Sequence, residues 1–274
     1  MKNWKSKFVV AVCGLLTATA MSWAGEDPAK VLSYEIGSEV YYFNYEEKDV
    51  MTETGPMYGL TGELKWKFAQ NYSLRVQGRG ALGQVDYDST STGSVDNISD
   101  YTFEVRALGG YQMTINNTLN LEPYFGFGCR FLRDQLGGKT STTGAAGYDR
   151  QSQYFYIPTG INIEKSLSSD WDVKLNAEFD VFLKGRQKSE LGDALAGLDT
   201  LENDQNHGWG ARGSVEFVKK MSQYDFVIEP FIRYWDIDQS ETENVTFSGT
   251  PIGVVGYEPA NTTMEVGAKL AIQF

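Results

Sequence analysis

The last eleven residues, MEVGAKLAIQF at 264–274, put Met264, Val266, Ala268, Leu270, Ile272 and Phe274 on one side of an extended chain. Glu265, Gly267, Lys269, Ala271 and Gln273 fall on the other. Strict two-residue alternation specifies a strand, because successive strand side chains point to opposite faces whereas a helix repeats every ~3.6 residues. About eleven residues is also the length of a tilted strand that crosses a bilayer. The pattern recurs nine times upstream, which constrains the chain to a many-stranded sheet.

The apolar rows are Tyr34, Ile36, Val40 and Tyr42 near 34–45; Tyr58, Leu60, Leu64, Trp66 and Phe68 near 57–68; and Tyr72, Leu74, Val76 and Leu82 near 72–85. Next come Tyr101, Phe103, Val105, Ala107, Tyr111 and Met113 near 101–113, then Leu119, Leu121, Phe125, Phe127, Cys129 and Phe131 near 119–132. In the second half they are Phe155, Ile157, Ile161 and Ile163 near 153–165, and Trp171, Val173, Leu175, Ala177, Phe179, Val181 and Leu183 near 171–184. Trp209, Ala211, Val215 and Phe217 near 208–218, and Tyr224, Phe226, Ile228, Ile232 and Tyr234 near 224–236, complete the set. Pro123, Pro158 and Pro230 fall inside these spans, two of them in the matched settings LEPYF and IEPFI. Because proline removes a ladder donor, they are expected at strand starts or bulges.

Connections support the same reading. Short polar turns at 69–71, 114–118, 166–170 and 219–223 alternate with long polar loops at 46–56, 86–99, 133–151, 185–206 and 237–261. The rows opposite the apolar faces carry full charges of both signs, and aromatics cluster at span ends. Trp66, Phe68, Tyr72, Tyr111, Trp171 and Phe274 lie toward the short turns; Tyr42, Tyr58, Tyr101, Phe131, Phe155, Trp209 and Tyr234 lie toward the loops. Two aromatic girdles are expected where a barrel meets two membrane interfaces. A soluble β-sandwich is the competing arrangement, and it would bury the apolar rows.

Residues 1–24 read as a signal peptide, with Lys2, Lys5 and Lys7, an apolar run from Phe8 to Leu16, and small residues Ser22 and Ala24 before the expected cut. Residues 25–30 read as a linker and 31–274 as one barrel domain. Without the leader, 21 basic side chains face 36 acidic ones, a net charge of −15. Nucleic acid is excluded as a partner on that balance, since phosphate contacts need clustered cations. Cys13 and Cys129 are the only cysteines, so the exported chain has no intrachain disulfide, and no segment is long and apolar enough for a membrane helix.

Leader, alternating spans, a terminal aromatic and the rhythm of short turns and long loops together resemble the bacterial outer-membrane β-barrel proteins, over nearly the whole exported chain. The resemblance implies an all-β fold: a closed antiparallel up-and-down transmembrane barrel of about ten strands, with short periplasmic turns and long external loops. It implies location in the outer membrane after export through the inner membrane, and contact with outer-membrane lipid and lipopolysaccharide. It further implies that Phe274 is the signal read by the barrel-insertion machinery.

On this fold Arg75, Arg79, Glu104, Arg106, Glu122, Arg130, Lys174, Glu178, Asp180, Arg212, Glu216, Glu229, Arg233, Glu265 and Lys269 are expected to face the lumen. They form either an ion path or a plug of salt bridges, and a ten-stranded interior is narrow enough for side chains to fill it. Glu122 and Glu229 are expected to pair with Arg or Lys on neighbouring strands. His207, the lone histidine, sits in DQNHGW with Asp204 three residues before it, and Asp86 and Asp88 top another strand. The omptin family of outer-membrane proteases is similar in strand number and uses aspartates and a histidine at the rim. The spacing of Asp204 and His207 departs from that pattern.

No cofactor and no metal site is expected, since the sequence has neither a His pair nor a Cys pair, and GGKTSTTGAAG at 137–147 lacks the order of a phosphate loop. Loops 46–56, 185–206 and 237–261 carry −3, −3 and −4, an acidic crown suited to cations, a basic partner or another surface ligand. Leu191, Leu195, Leu198 and Leu201 are spaced for a short helix with an apolar stripe, and PIGVVGY at 251–257 is apolar for a loop. The expected function is a non-catalytic, surface-binding or structural membrane barrel. The alternatives are a small-solute channel and an omptin-like rim enzyme acting on peptide or lipid.

Overall fold

The computed structural model describes residues 32–68 and 71–274. The leader at 1–24 and the linker at 25–30 lie outside the described residues. In chain order the strands are β1 (Leu32–Glu47), β2 (Met51–Phe68), β3 (Tyr72–Ser89), β4 (Gly93–Tyr111), β5 (Met113–Asn116), β6 (Leu119–Gln135) and β7 (Arg150–Ser166). They continue with β8 (Trp171–Ser189), β9 (Leu201–Gln205), β10 (Gly208–Lys220), β11 (Asp225–Ile237), β12 (Glu243–Phe247), β13 (Thr250–Gly256) and β14 (Asn261–Gln273).

Ten staves form the barrel. β5 prolongs β4 along β6, and β9 and β10 pair in succession with β8. Every pairing is antiparallel, and β14 meets β1 from Glu35↔Gln273 to Glu47↔Asn261, so the sheet closes on itself. The Phe274 N–H donates to Tyr34 O at 2.9 Å at the foot of this seam. A closed sheet leaves no unpaired edge, which is what hydrocarbon demands of a spanning sheet.

The apolar rows face outward: Ile36, Leu60, Leu82, Phe103, Phe125, Phe179, Ile232 and Val266 are all exposed. Rings meet at both ends of this belt. At the turn end Trp66, Phe68, Tyr72 and Tyr111 form a chain with centroids 5.0–6.0 Å apart, and Tyr34 stacks on Phe274 at 5.3 Å. At the loop end Tyr101 stacks on Phe131, and Trp209 sits between Phe179 and Tyr234.

The loops differ from expectation. β1 and β2 are joined by residues 48–50 and β3 and β4 by residues 90–92, so most of 46–56 and 86–99 is strand. Outward apolar alternation stops at the girdle, but the hydrogen-bond ladder does not. Beyond the girdle the polarity inverts. Tyr41, Phe43, Tyr45, Met51, Met57, Val85, Ile98, Leu132 and Leu136 pack inside, while Gln84, Asp86 and Asp88 face out. This part of the barrel is built like a soluble one, with its apolar residues in a core.

Two further expectations are corrected. Leu191, Leu195, Leu198 and Leu201 share no helix: a single 3-10 turn spans Leu191–Asp193, Leu198 bridges to Phe247, and Leu201 opens β9 opposite Ser189. Gly197 at φ 99° breaks any helical run there. Pro123 and Pro230 stand mid-strand in regular register, facing outward against Ile161 and Ala268. A register shift lies near Pro158, between Phe155 and Tyr156. Residues 251–256 of the apolar stretch lie in β13, part of a separate two-stranded hairpin closed by Ser248 and Gly249, both at positive φ as a two-residue hairpin turn requires.

Candidate functional site: a filled lumen and an acidic loop end

Strand parity turns one row of each stave inward, and the inward rows of opposite staves meet across the lumen. At mid-depth five guanidiniums, from Arg79, Arg106, Arg130, Arg212 and Arg233, interlock with five carboxylates, from Glu39, Glu104, Glu178, Asp180 and Glu265. Arg79 reaches Glu104 at 2.8 Å, Glu265 at 3.0 Å and Glu39 at 3.3 Å. Arg212 reaches Asp180 at 2.8 Å and Glu178 at 3.1 Å, and it also pairs with Glu104. Arg233 binds Glu39 at 2.7 Å and Glu265 at 3.0 Å, and Arg130 binds Glu265 at 3.2 Å. Tyr156 and Tyr124 donate hydroxyls to Glu104 and Glu178. Stripping an ion of water costs several kcal/mol, of order, so a dry charged layer holds only where each group is paired. Here the charges balance five to five.

Rings close the lumen on the loop side of this layer. Trp235 packs edge-on against Tyr156 with centroids 5.0 Å apart and lies 6.0 Å from Tyr154, which in turn meets Phe182. The guanidiniums of Arg130 and Arg212 lie 5.9 and 5.8 Å from the Trp235 ring. Gly128 makes room for this lid: a Cβ there would fall 2.2 Å from Tyr156 Cζ.

Toward the turns a polar cavity of about 180 Å³ remains. Lys65 pairs with Glu122 at 2.9 Å, Lys174 with Glu216 at 3.2 Å, and Lys269 with both Glu35 and Glu229 at 2.6 Å. Arg75 lies over the Tyr124 ring at 4.6 Å. Glu229 has its partner on the adjacent strand, whereas the partner of Glu122 sits on β2, several staves away. Glu39, Glu35, Glu63 and Glu164 also face inward, beyond the fifteen residues expected there from the sequence. For Glu39 the signal was present: it sits between outward Ser38 and Val40.

The rim residues do not converge. Asp86 and Asp88 are exposed on the outer face of β3, and Asp86 accepts the Asn97 N–H at 3.0 Å where a bulge interrupts β4. Asp204, on the outer face of β9, takes Lys184 at 2.7 Å and Arg186 at 3.3 Å. The Lys184 hydrogen bond holds its carboxyl below the usual carboxylate range. His207 is exposed beyond the end of β9. β3 and β9 stand on opposite sides of the ring, so groups pointing outward from each cannot act on one substrate bond. Asp149, Glu190 and Asp193 bring carboxylate atoms within 4.8 Å of one another between two loops. Arg133 binds Asp149 at 2.8 Å and Glu190 at 3.3 Å, supplying their cation.

The loop end is strongly acidic. Segments 44–57, 84–100, 132–154, 184–208 and 235–263 hold 20 of the chain's 36 acidic residues but only 7 of its 24 Lys and Arg, a net of −13. Above them stands the β12–β13 hairpin, with Phe247, Ile252, Val254, Val255 and Tyr257 exposed.

No protein-family model and no curated protein matches the sequence. Solved structures do match. The translocator domain of the autotransporter NalP from Neisseria meningitidis aligns over 89% of this chain and 88% of its own, at 10% identity and a TM-score of 0.46. The outer membrane protein OprG from Pseudomonas aeruginosa aligns over 88% and 96%, at 9% identity and a TM-score of 0.38. The outer membrane protease OmpT from Escherichia coli aligns over 91% of this chain and 99% of its own, at 10% identity and a TM-score of 0.61, so the fold is that of an outer-membrane β-barrel.

Proposed function

We propose that the protein is a non-conducting, non-catalytic barrel of the bacterial outer membrane that presents an acidic binding surface on the external side. One observation carries the non-conducting part: the mid-lumen layer of five guanidiniums and five carboxylates, sealed by Trp235, Tyr154 and Tyr156, each no more than 1% exposed. An ion path needs charged groups that a passing ion can reach and leave. These groups are spent on one another. The outward divergence of Asp86, Asp88, Asp204 and His207 supports the non-catalytic part. On this reading residues 1–24 direct export, lipid and lipopolysaccharide surround the belt, the insertion machinery reads Phe274, and the acidic loop end attracts cations or a basic partner.

The test is conductance of the exported chain in planar bilayers. The expected result is no steady opening, and well-defined single-channel steps would turn the reading over to the small-solute channel. For the rim enzyme, a hydrolytic activity abolished by His207→Ala would defeat the non-catalytic reading.

A further inference from the structure

On the loop side of the girdle the lumen holds a second ionisable group whose charges do not balance. Glu47 of β1, Glu53 of β2, Asp100 of β4, Asp134 of β6 and Glu258 just before β14 all face inward, each 5% exposed or less. Arg150 of β7 is the one cation paired with them among the described residues. It binds Glu47 and Glu258, at 2.6 Å for Glu258, and its backbone N–H donates to Asp134 at 3.0 Å with Nε 3.7 Å from the same carboxylate. Tyr45 donates its hydroxyl to Glu47 and Glu258, both at 3.0 Å. Tyr148 and Tyr154 are the remaining titratable groups facing the cluster. Asp100 stands directly across the ladder from Asp134, and neither of its carboxyl oxygens has a hydrogen-bond donor.

Five buried carboxylates against one guanidinium would leave four uncompensated charges in a dry space, which no folded barrel sustains. Protons or a cation must make up the difference. A cation cage needs several oxygens at one point, and the only acidic trio with ligand atoms within 4.8 Å among the described residues is Asp149, Glu190 and Asp193, outside this cluster. The bare Asp100 oxygens beside Asp134 are arranged instead as carboxyls that carry protons, since like charges directly opposite in a ladder repel.

We propose that protons held by this carboxyl cluster close the external end of the lumen, and that their loss in alkaline medium loosens it. Burial and the neighbouring carboxylates push Glu53 up to about 8, burial lifts Glu258 to about 7 even against Arg150, and Asp100 and Asp134 move in the same direction for the same cause. In an opened end these carboxyls titrate near ~4 to 4.5. The open form therefore releases its protons first. Closure loses stability as pH rises from about 4.5 to about 8 and levels off above that.

The experiment is hydrogen exchange, read by mass spectrometry, on the refolded full chain in detergent at pH 5.5 and 8.5 and corrected for intrinsic rates. Loop-end amides of β4 and β6, residues 93–100 and 132–135, are expected to lose protection at least about tenfold at pH 8.5, while amides at belt level hold theirs; tenfold corresponds to one pKa unit. Glu53→Gln combined with Asp100→Asn is expected to shrink most of the difference, and Glu258→Gln alone to reduce it by less. Equal protection of the native chain at both pH values overturns the proposal, as does an undiminished difference in Glu258→Gln. Restoration of protection at pH 8.5 by calcium overturns it in favour of a bound cation.

Discussion

Arg212 illustrates how much one side chain carries in a filled lumen. It touches Glu104, Glu178 and Asp180, and it is the one ion-pair partner that Asp180 has among the described residues. Arg212→Ala strands a buried carboxylate, and removal of one member of such a set costs about 3–5 kcal/mol. Urea unfolding in detergent is the measurement, with Arg186→Ala as the control. Arg186 pairs with Glu202 and Asp204 on the outer surface at about half exposure, and such pairs contribute at most about 1 kcal/mol. A loss from Arg212→Ala no larger than that of the control would defeat the account. Which residues face inward was legible in the sequence, because parity alone assigns a face; the inward position of Glu39 could be read from Ser38 and Val40. Who pairs with whom was not. Glu104 and Arg212 are 108 residues apart, and Lys65 meets Glu122 across the lumen rather than along a ladder, so partners depend on barrel width and stagger that no local pattern encodes.

The elements follow a rule that holds only at certain depths. Within lipid, outward apolar residues mark each strand, so all ten staves could be read from the chain. Beyond the girdle that marker vanishes, and the strand ends read as polar loops even though Met51 and Ile98 within them keep the alternation on the opposite face. The leucine spacing at 191–201 misled for a different reason: ladder pairing of Leu201 with Ser189 and hydrogen bonds from Thr246 and Gly249 to Asp199 outweigh a helix interrupted by two glycines. The β12–β13 hairpin docks on residues 197–203 but adds no strand to the barrel wall. β11 and β14 pair up to Ile237↔Asn261 without it, so the closing seam does not depend on it. Replacing 243–256 with a short Gly-Ser linker is therefore expected to leave a barrel with heat-modifiable electrophoretic migration and a melting midpoint lowered by about 4 °C or less, or about 1 kcal/mol. A deletion variant that never reaches the folded form would show that the hairpin is part of the scaffold.

Taken whole, the molecule has two halves with opposite solvent logic on one continuous sheet. The belt is apolar outside and ionic inside; the loop end is polar outside and packs an apolar core inside, with one carboxyl cluster around Arg150. The girdle marks the change, which is where the surrounding medium changes from hydrocarbon to water. Charge follows the same division. The loop end nets −13 on 20 acidic and 7 basic residues, and the rest of the chain holds 16 acidic and 17 basic ones. Of the 20, five belong to the buried cluster with Arg150, so the charges left to project into water still net −9. A field of that size from one end draws cations over roughly a Debye length, about 10 Å at 0.1 M salt and 3 Å at 1 M. A short oligolysine probe is expected to bind the purified barrel in zwitterionic detergent at low salt, to weaken steeply as salt rises toward 1 M, and to lose most of its affinity when Asp236, Asp238, Glu241 and Glu243 are changed to their amides. These four are chosen because segment 235–263 has five acids and no base, and the fifth, Glu258, points inward. Binding that ignores salt, or that survives the four substitutions intact, would place the attraction somewhere other than this end of the barrel.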